Sequence, residues 1–251
     1  MKDVPDFMPR KYKKEVAKIG DIEVEALYGR AHRYKGSLQI ISKVGPNAKI
    51  LDVGCGERRL NLPRILNLDV TRNECVDVLA DVHHLPFKNN VFDLIICEHL
   101  LEHARKPWFA IEDIYRVLRH GGFVYVEVPF MTPYHGRPKH YFNMSREGVE
   151  VLCEKFHKVK SGVQPYNMPS HTLMMIFSSY VRCLLPAVNK RAGEIELYDT
   201  GAFVSRASIL NVLFIKAYIV LDRILGVLDR FIEPNRAEEI AVAVYYTGVK
   251  S

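Results

Sequence analysis

Residues 50–56, Ile-Leu-Asp-Val-Gly-Cys-Gly, carry an apolar run into an aspartate and then two glycines one residue apart. A buried parallel strand ends this way when its backbone must turn sharply and come close to a bound small molecule. Gly54 and Gly56 lack a Cβ, so the chain can take positive φ there and a ligand can lie against bare peptide. Glycine turns after strands are common, and this one gains its weight from the segments downstream of it. Asp69 ends the next apolar segment, Asp81 stands before Leu85-Pro86-Phe87, and residues 92–97 read as another buried strand. Three acids at successive strand ends suit a ligand that carries an amino group, a ribose and an adenine.

Short apolar runs alternate with helical patterns through residues 49–162, as repeated βα units do. Strands are expected at 49–53, 65–69, 92–97, 123–128 and 156–160. Trp108, Ile111, Ile114, Tyr115 and Leu118 recur at helical spacing, and Gly121-Gly122 is read as the stop of that helix. Ser145 is a candidate cap for a helix over 146–154, with Glu147 in its first turn. Residues 1–48 are read as an N-terminal helical extension, with a helix around 23–41. Residues 163–239 form an apolar helical insertion with segments at 172–188 and 208–232, and 240–251 holds a final core strand at 240–246. The second apolar segment is broken by Lys216, Asp222, Arg223, Asp229 and Arg230, whereas a bilayer span needs ~20 mostly uncharged residues. Three destinations stay open for it: packing on the core or its neighbour helix, a membrane interface with Lys190, Arg191, Arg206 and Lys216 near anionic lipid, or a homodimer contact.

A hydrophobic share of 48% and a charged share of 25% are those of a globular protein. The net charge of +6 suits an anionic partner but equally a soluble enzyme that is merely basic, and nucleic acid is not the expected one. Cys55, Cys75, Cys97, Cys153 and Cys183 are scattered and form no CxxC pair, so they read as free thiols in a reducing compartment. The first residues lack the apolar core of a signal peptide. A cytoplasmic location is expected, with peripheral contact at the inner membrane face left open.

The blocks Leu51–Gly56, Asn67-Leu68-Asp69-Val70, Asp81–Phe87, Phe92-Asp93-Leu94-Ile95, His99-Leu100-Leu101-Glu102-His103 and Tyr115–Gly122, in this order and spacing, resemble a class I S-adenosylmethionine-dependent methyltransferase of the type-11 group. The resemblance covers about two-fifths of the chain. It implies a Rossmann-like α/β fold with a seven-stranded sheet, its last strand antiparallel, and the apolar helices inserted before that strand. It implies S-adenosyl-L-methionine as cofactor and S-adenosyl-L-homocysteine as product. Position by position, it places Asp52, Gly54, Cys55 and Gly56 at the methionine end, Asp69 on the ribose hydroxyls with Val70 beside it, and Asp81 and Val82 at the adenine. Cys97 and Glu98 fall near the sulfonium. A non-catalytic S-adenosylmethionine-binding or scaffold protein of the same fold is the alternative. A dinucleotide dehydrogenase is disfavoured because Asp81-Val82 has no role in its site.

The chain departs from the family pattern after the glycine turn. Arg58 and Arg59 follow at once and Pro63 interrupts the path to Ile65, leaving too few residues for the usual helix. Either Arg58 or Arg59 is then a candidate for the positive charge a helix N-terminus would offer the cofactor carboxylate. Some predicted methyltransferases associated with glycan synthesis share this shortened crossing, so a glycan or lipid-linked acceptor is slightly favoured over other small molecules. Methyl transfer needs mostly alignment, and a hydroxyl acceptor gains from a base. His135 and His140 are the candidate bases, and His99, Tyr134, Arg137 and Lys139 candidate acceptor-binding residues. His99-Leu100-Leu101-Glu102-His103 also matches the HxxEH pattern of inverted zinc peptidases. It lies within the methyltransferase blocks and has no well-placed third ligand beyond a nominal Glu194 or Glu196. No metal is therefore expected, and His103 is read as a helix-face residue.

Overall fold

The computed structural model describes residues 15–19, 22–26, 35–60, 62–136, 139–184, 194–197, 202–205 and 209–251. Strands β1 (Glu15–Ile19) and β2 (Ile22–Ala26) precede helix α1 (Lys35–Ile41), β3 (Ile50–Val53), β4 (Arg58–Leu60), β5 (Ile65–Asp69) and β6 (Val78–Leu79). Then come β7 (Phe92–Glu98), α2 (Pro107–Val117), β8 (Leu118–Pro129), α3 (Arg146–Leu152) and β9 (His157–Gly162). Helix α4 (Pro169–Leu184), the hairpin of β10 (Glu194–Leu197) and β11 (Ala202–Ser205), α5 (Ile209–Leu228), α6 (Pro234–Ala237) and β12 (Ala243–Val249) complete the order.

Seven strands form the central sheet in the order β6–β5–β3–β7–β8–β12–β9. The first five run parallel, and β12 lies antiparallel between β8 and β9. A side chain changes face at each residue, so a strand covered on both sides must be apolar throughout. Residues 50–53 and 92–98 are accordingly apolar except at Asp52, Asp93 and Glu98, each of which is paired with an arginine. Leu51, Val53, Ile95, Cys97, Val124 and Val126 enter one core with Ile111 and Ile114 of α2. Their alternates Ile50, Leu94, Ile96 and Tyr125 enter another with Leu38 and Ile41 of α1. Pro107 opens α2, where a missing N–H costs nothing, and Ala110, Ile111, Ile114 and Val117 bury its inner stripe. Ser145 caps α3 as expected, its Oγ accepting from the Gly148 N–H at 3.2 Å.

Several expectations need correction. The extension is not one helix over 23–41: β1 and β2 pair antiparallel, and α1 spans only Lys35–Ile41. Gly121-Gly122 does not stop α2, which ends at Val117. The pair lies within the irregular start of β8, where Gly121 has φ +71° and donates its N–H to the Lys250 carbonyl, while the Lys250 N–H donates to the Gly122 carbonyl. The final strand begins at Ala243, and it neighbours β8 as well as β9. Trp108 is 48% exposed rather than on the buried stripe. The crossing from β3 to β5 indeed holds no helix; β4 sits there and pairs with β2, so the extension and the shortened crossing share a three-stranded sheet.

Helices α4 and α5 pack on each other. The Tyr218 hydroxyl donates to the Met174 carbonyl at 3.4 Å, Phe177 stacks on Tyr218, and the Ser170 N–H donates to Asp229 at 3.1 Å. Met175 anchors α4 against Val242 and Ala243. The outward side of the pair keeps Phe177, Tyr180, Val220, Leu221, Ile224, Val227 and Leu228 exposed. No helix among the described residues is long and apolar enough to cross a membrane. Lys190, Arg191 and Arg206 lie outside the described residues.

Candidate cofactor and acceptor site

The glycine turn is tied to the tip of β5. Gly54 and Gly56 take φ +75° and +55°, and the Gly54 and Cys55 N–H groups donate to the Leu68 carbonyl at 2.8 and 3.0 Å. Asp69 orients the turn further, accepting from the Gly56 N–H at 2.9 Å and the Thr71 N–H at 2.7 Å. Each carboxylate oxygen keeps a lone pair to offer outward, and Asp69 is half-buried. The two glycines differ in surroundings. A Cβ on Gly54 would fall 2.9 Å from Leu100 Cδ1, whereas a Cβ on Gly56 meets no atom within 4 Å. Val70 is exposed, Val82 is buried, and Asp81 holds the His83 ring and N–H at 2.6 and 2.9 Å.

Asp52 and Glu98 face inward. Arg58, 2% exposed, lies between them: its Nε is 3.2 Å from Asp52 Oδ2, Nη2 contacts Asp52 Oδ1, and Nη1 contacts Glu98 Oε2. Burial pushes both carboxyls up, and the guanidinium pulls them back. Both acids are thus buried and bonded to Arg58. The Arg58 charge is committed to two carboxylates, and Arg59 turns to Asp77 at 2.8 Å and the Glu74 carbonyl at 3.3 Å. Both arginines expected to carry positive charge to the turn are therefore ion-paired with carboxylates. Cys55 and Cys97 are buried, and burial pushes both thiols up, so neither is a reactive thiolate.

His99 follows β7 directly, at φ +51°, a conformation that strand-end side chains adopt only when their surroundings enforce it. Its Nε2 lies 3.2 Å from Glu127 Oε1 while 43% of the side chain stays exposed. Glu127 also accepts from the Tyr125 hydroxyl at 2.6 Å, the Tyr166 hydroxyl at 2.8 Å and Asn167 Nδ2 at 3.0 Å. Burial would raise Glu127, but these donors and His99 outweigh it and hold the carboxyl low. Burial likewise opposes charge on His99, yet the Glu127 bond and charge push it up to about 9. Glu127 thus favours the charged form of a His99 ring whose open face stands at the carboxyl end of β7, suited to an anionic or oxygen-rich acceptor. Sequence reasoning missed Tyr125, Tyr166, Asn167 and Glu127; the one legible signal was a lone acid inside the apolar run 123–128.

Residues 101–103 form a turn, not a helix, so the HxxEH string lacks the helical spacing of a peptidase site. His135 and His140 do come together, with ring centroids 4.3 Å apart, and His103 lies 5.2 Å from His135. His140 is locked: its Nδ1 accepts from the His135 N–H at 3.3 Å and its Nε2 faces Asn143 Oδ1 at 2.7 Å. Burial, reinforced by the neighbouring histidines, pushes His135 down to about 4. It is neutral at physiological pH and a weaker base than an ordinary imidazole. Tyr134 is exposed and stacks on His140, and Lys139 is exposed with its carbonyl facing His103 Nδ1. Arg137, and the side chains of Glu194 and Glu196, lie outside the described residues. A cavity of about 430 Å³ lined by Ile40, Val44, Tyr125, Val163 and Tyr245 opens on the α1 side, and the hydroxyl of its Tyr125 is the one bonded to Glu127.

Residues 51–126 match the family described as a methyltransferase domain. The chain carries a class I S-adenosylmethionine-dependent methyltransferase domain. A ubiquinone/menaquinone biosynthesis C-methyltransferase of Coxiella burnetii is 36% identical over 80 residues, 32% of this chain and 29% of that protein. Cycloartenol-C-24-methyltransferase 1 of Oryza sativa is 29% identical over 120 residues, 39% of this chain and 35% of its own length. The methyltransferase domain thus spans about half or less of the curated relatives it matches. Among solved structures, the cyclase SpnF shares the fold at a TM-score of 0.51 and 14% identity, covering 90% of this chain and 83% of its own.

Proposed function

We propose that the protein transfers a methyl group from S-adenosyl-L-methionine to an acceptor held over the carboxyl ends of β7 and β8. The observation that carries this reading is the glycine turn: it is bonded to Asp69 at the tip of β5, and Gly56 faces open space beside it. Asp69 would accept the ribose hydroxyls with its outward lone pairs, and Asp81 with Val82 would meet the adenine. The Asp52–Arg58–Glu98 cluster holds the turn from below. The sulfonium is already activated, so the protein's task is in-line alignment more than proton transfer. A glycan or lipid-linked acceptor carrying an anionic group fits best. His99 offers it a positive charge, and the exposed apolar side of α4 and α5 suits work at a lipid surface.

Titration calorimetry with S-adenosyl-L-homocysteine tests the cofactor half. The wild type binds, and Asp69→Ala loses about 1.5–3 kcal/mol per charge-assisted bond removed. Equal affinity in a folded Asp69→Ala protein would sink the ribose placement. Labelled-methyl transfer into lipid and glycan fractions then tests the acceptor, and label confined to protein or nucleic acid would overturn it.

A further inference from the structure

Glu102 is fully buried, and neither carboxylate oxygen has a hydrogen-bond partner. A buried carboxylate without hydrogen-bond partners is costly; burial pushes Glu102 up, and the His99 charge 3.8 Å away offsets only part of that. Three imidazoles surround it: His99 Nδ1 and His103 Nε2 at 3.8 Å, and His135 Nε2 at 4.0 Å. These distances are too long for hydrogen bonds.

Two of the three rings are oriented by backbone carbonyls. His103 Nδ1 faces the Lys139 carbonyl, and His135 Nδ1 lies 3.1 Å from the Pro133 carbonyl. A carbonyl only accepts, so each Nδ1 carries a proton and each Nε2 turns its lone pair towards Glu102. Histidines that ligate metals are held in this way, with the outer nitrogen on a carbonyl or carboxylate. The loops are tied as well: the Tyr141 N–H donates to the Glu102 carbonyl at 2.7 Å, and the fixed His140 ring holds the His135 backbone. His99 is taken up by Glu127, which leaves Glu102, His103 and His135.

We propose that Glu102, His103 and His135 bind a divalent transition-metal cation, zinc being the one their two imidazoles and single carboxylate suit best. Their ligand atoms lie within 4.8 Å of one another. A contraction of about half an ångström per atom brings them to the ~2.0–2.2 Å of zinc coordination. The cation pairs the buried carboxylate charge, and three protein ligands leave a fourth position for an outside oxygen. This revises the expectation of no metal, with a ligand set that shares only Glu102 and His103 with the HxxEH string. The site joins the loops after β7 and β8, on the acceptor side. On the methyl-transfer reading, an acceptor hydroxyl in the fourth position becomes more acidic and gives its proton to solvent.

Metal binding itself does not depend on that reading. Untagged, chelator-stripped protein is dialysed against Zn2+ and analysed for bound metal, and the Co2+-substituted protein is examined by visible absorption. One Zn2+ per chain is expected, with the intense Co2+ bands of a low-coordinate site. Glu102→Gln, His103→Ala and His135→Ala weaken binding about 100-fold or more, while His157→Ala, an exposed histidine on β9, binds as the wild type does. A purely structural Glu102 predicts a lower melting temperature for metal-free Glu102→Gln; a vacant ligand site predicts an equal or higher one. Zn2+ should raise the melting temperature of the wild type, His157→Ala and Asp69→Ala but not of the three ligand variants. Absence of 1:1 binding, or variants that bind like the wild type, overturns the proposal; His135→Ala, in a surface loop, decides it if Glu102→Gln does not fold. Asp69→Ala should retain the metal, so failure of the cofactor reading would be seen separately.

Discussion

Gly54 and Gly56 share a left-handed backbone but offer different experiments. A side chain at Gly54 strikes Leu100 as well as straining the turn, so Gly54→Val should lower stability and confound any loss of binding. Gly56→Ala is the cleaner probe. Its methyl enters open space at a cost of about 1–2 kcal/mol for the positive φ, and in a protein that remains folded it should weaken S-adenosyl-L-homocysteine binding at least tenfold. Calorimetry on the folded variant checks this, and unaltered affinity would place the cofactor elsewhere. Ser145 gives a second residue-level expectation. Ser145→Ala should lower unfolding free energy by about 1 kcal/mol and Ser145→Asp by much less, measured by urea denaturation. This cap was legible because it is local: one side chain and one N–H three residues on. The directions of Asp52 and Glu98 were not, because Arg58 takes its position only once β4 has paired with β2.

Helix α2 is joined to the segment carrying Leu85-Pro86-Phe87 through one ion pair. Asp113 accepts from the Leu85 N–H at 2.5 Å and from Arg116 Nε at 2.6 Å, while Arg116 donates to the Phe87 and Leu85 carbonyls at 2.7 and 3.0 Å. Burial would raise the Asp113 carboxyl, but the Arg116 and Leu85 bonds outweigh it and hold it below 3.8. A depressed carboxyl contributes its stability above the ordinary carboxylate range and loses it as pH falls through the folded value. Asp113→Asn should therefore cost about 1–2 kcal/mol at neutral pH. Its melting temperature and that of the wild type should converge below that folded value; a constant gap down to strong acid would refute the assignment. Elements of this kind are only half visible in the sequence. Residues 65–69 coincide with β5 because Ile65 and Leu68 bury in the cores on opposite faces of the sheet. The hairpin of β1 and β2 passes for helix in the sequence because Glu-Val-Ala-Lys-Ile and Ile-Glu-Val-Glu-Ala are short and charged, and its partner β4 lies over thirty residues away.

At the scale of the molecule, the outward side of the α4–α5 pair is where a membrane would act. If it does, the protein should sediment with anionic vesicles at low salt and be partly released at high salt. Ile224→Glu with Val227→Glu, both at exposed positions, should abolish sedimentation without changing the melting temperature. A wild type that never sediments would leave this side for another partner. A seven-stranded sheet with an antiparallel last strand was readable from the alternation of runs together with the family resemblance; the strand order and the two-residue β6 were not. The acceptor-side arrangement was not, because Glu102, His103 and His135 meet only when two loops from neighbouring strands fold over each other.

The antiparallel place of β12 between β8 and β9 also has a consequence for synthesis on the ribosome. Residues 163–239 leave the exit tunnel before the strand that closes the sheet, so the β8 edge waits bare while two apolar helices emerge beside it. The nascent chain is most exposed to misassociation in that interval.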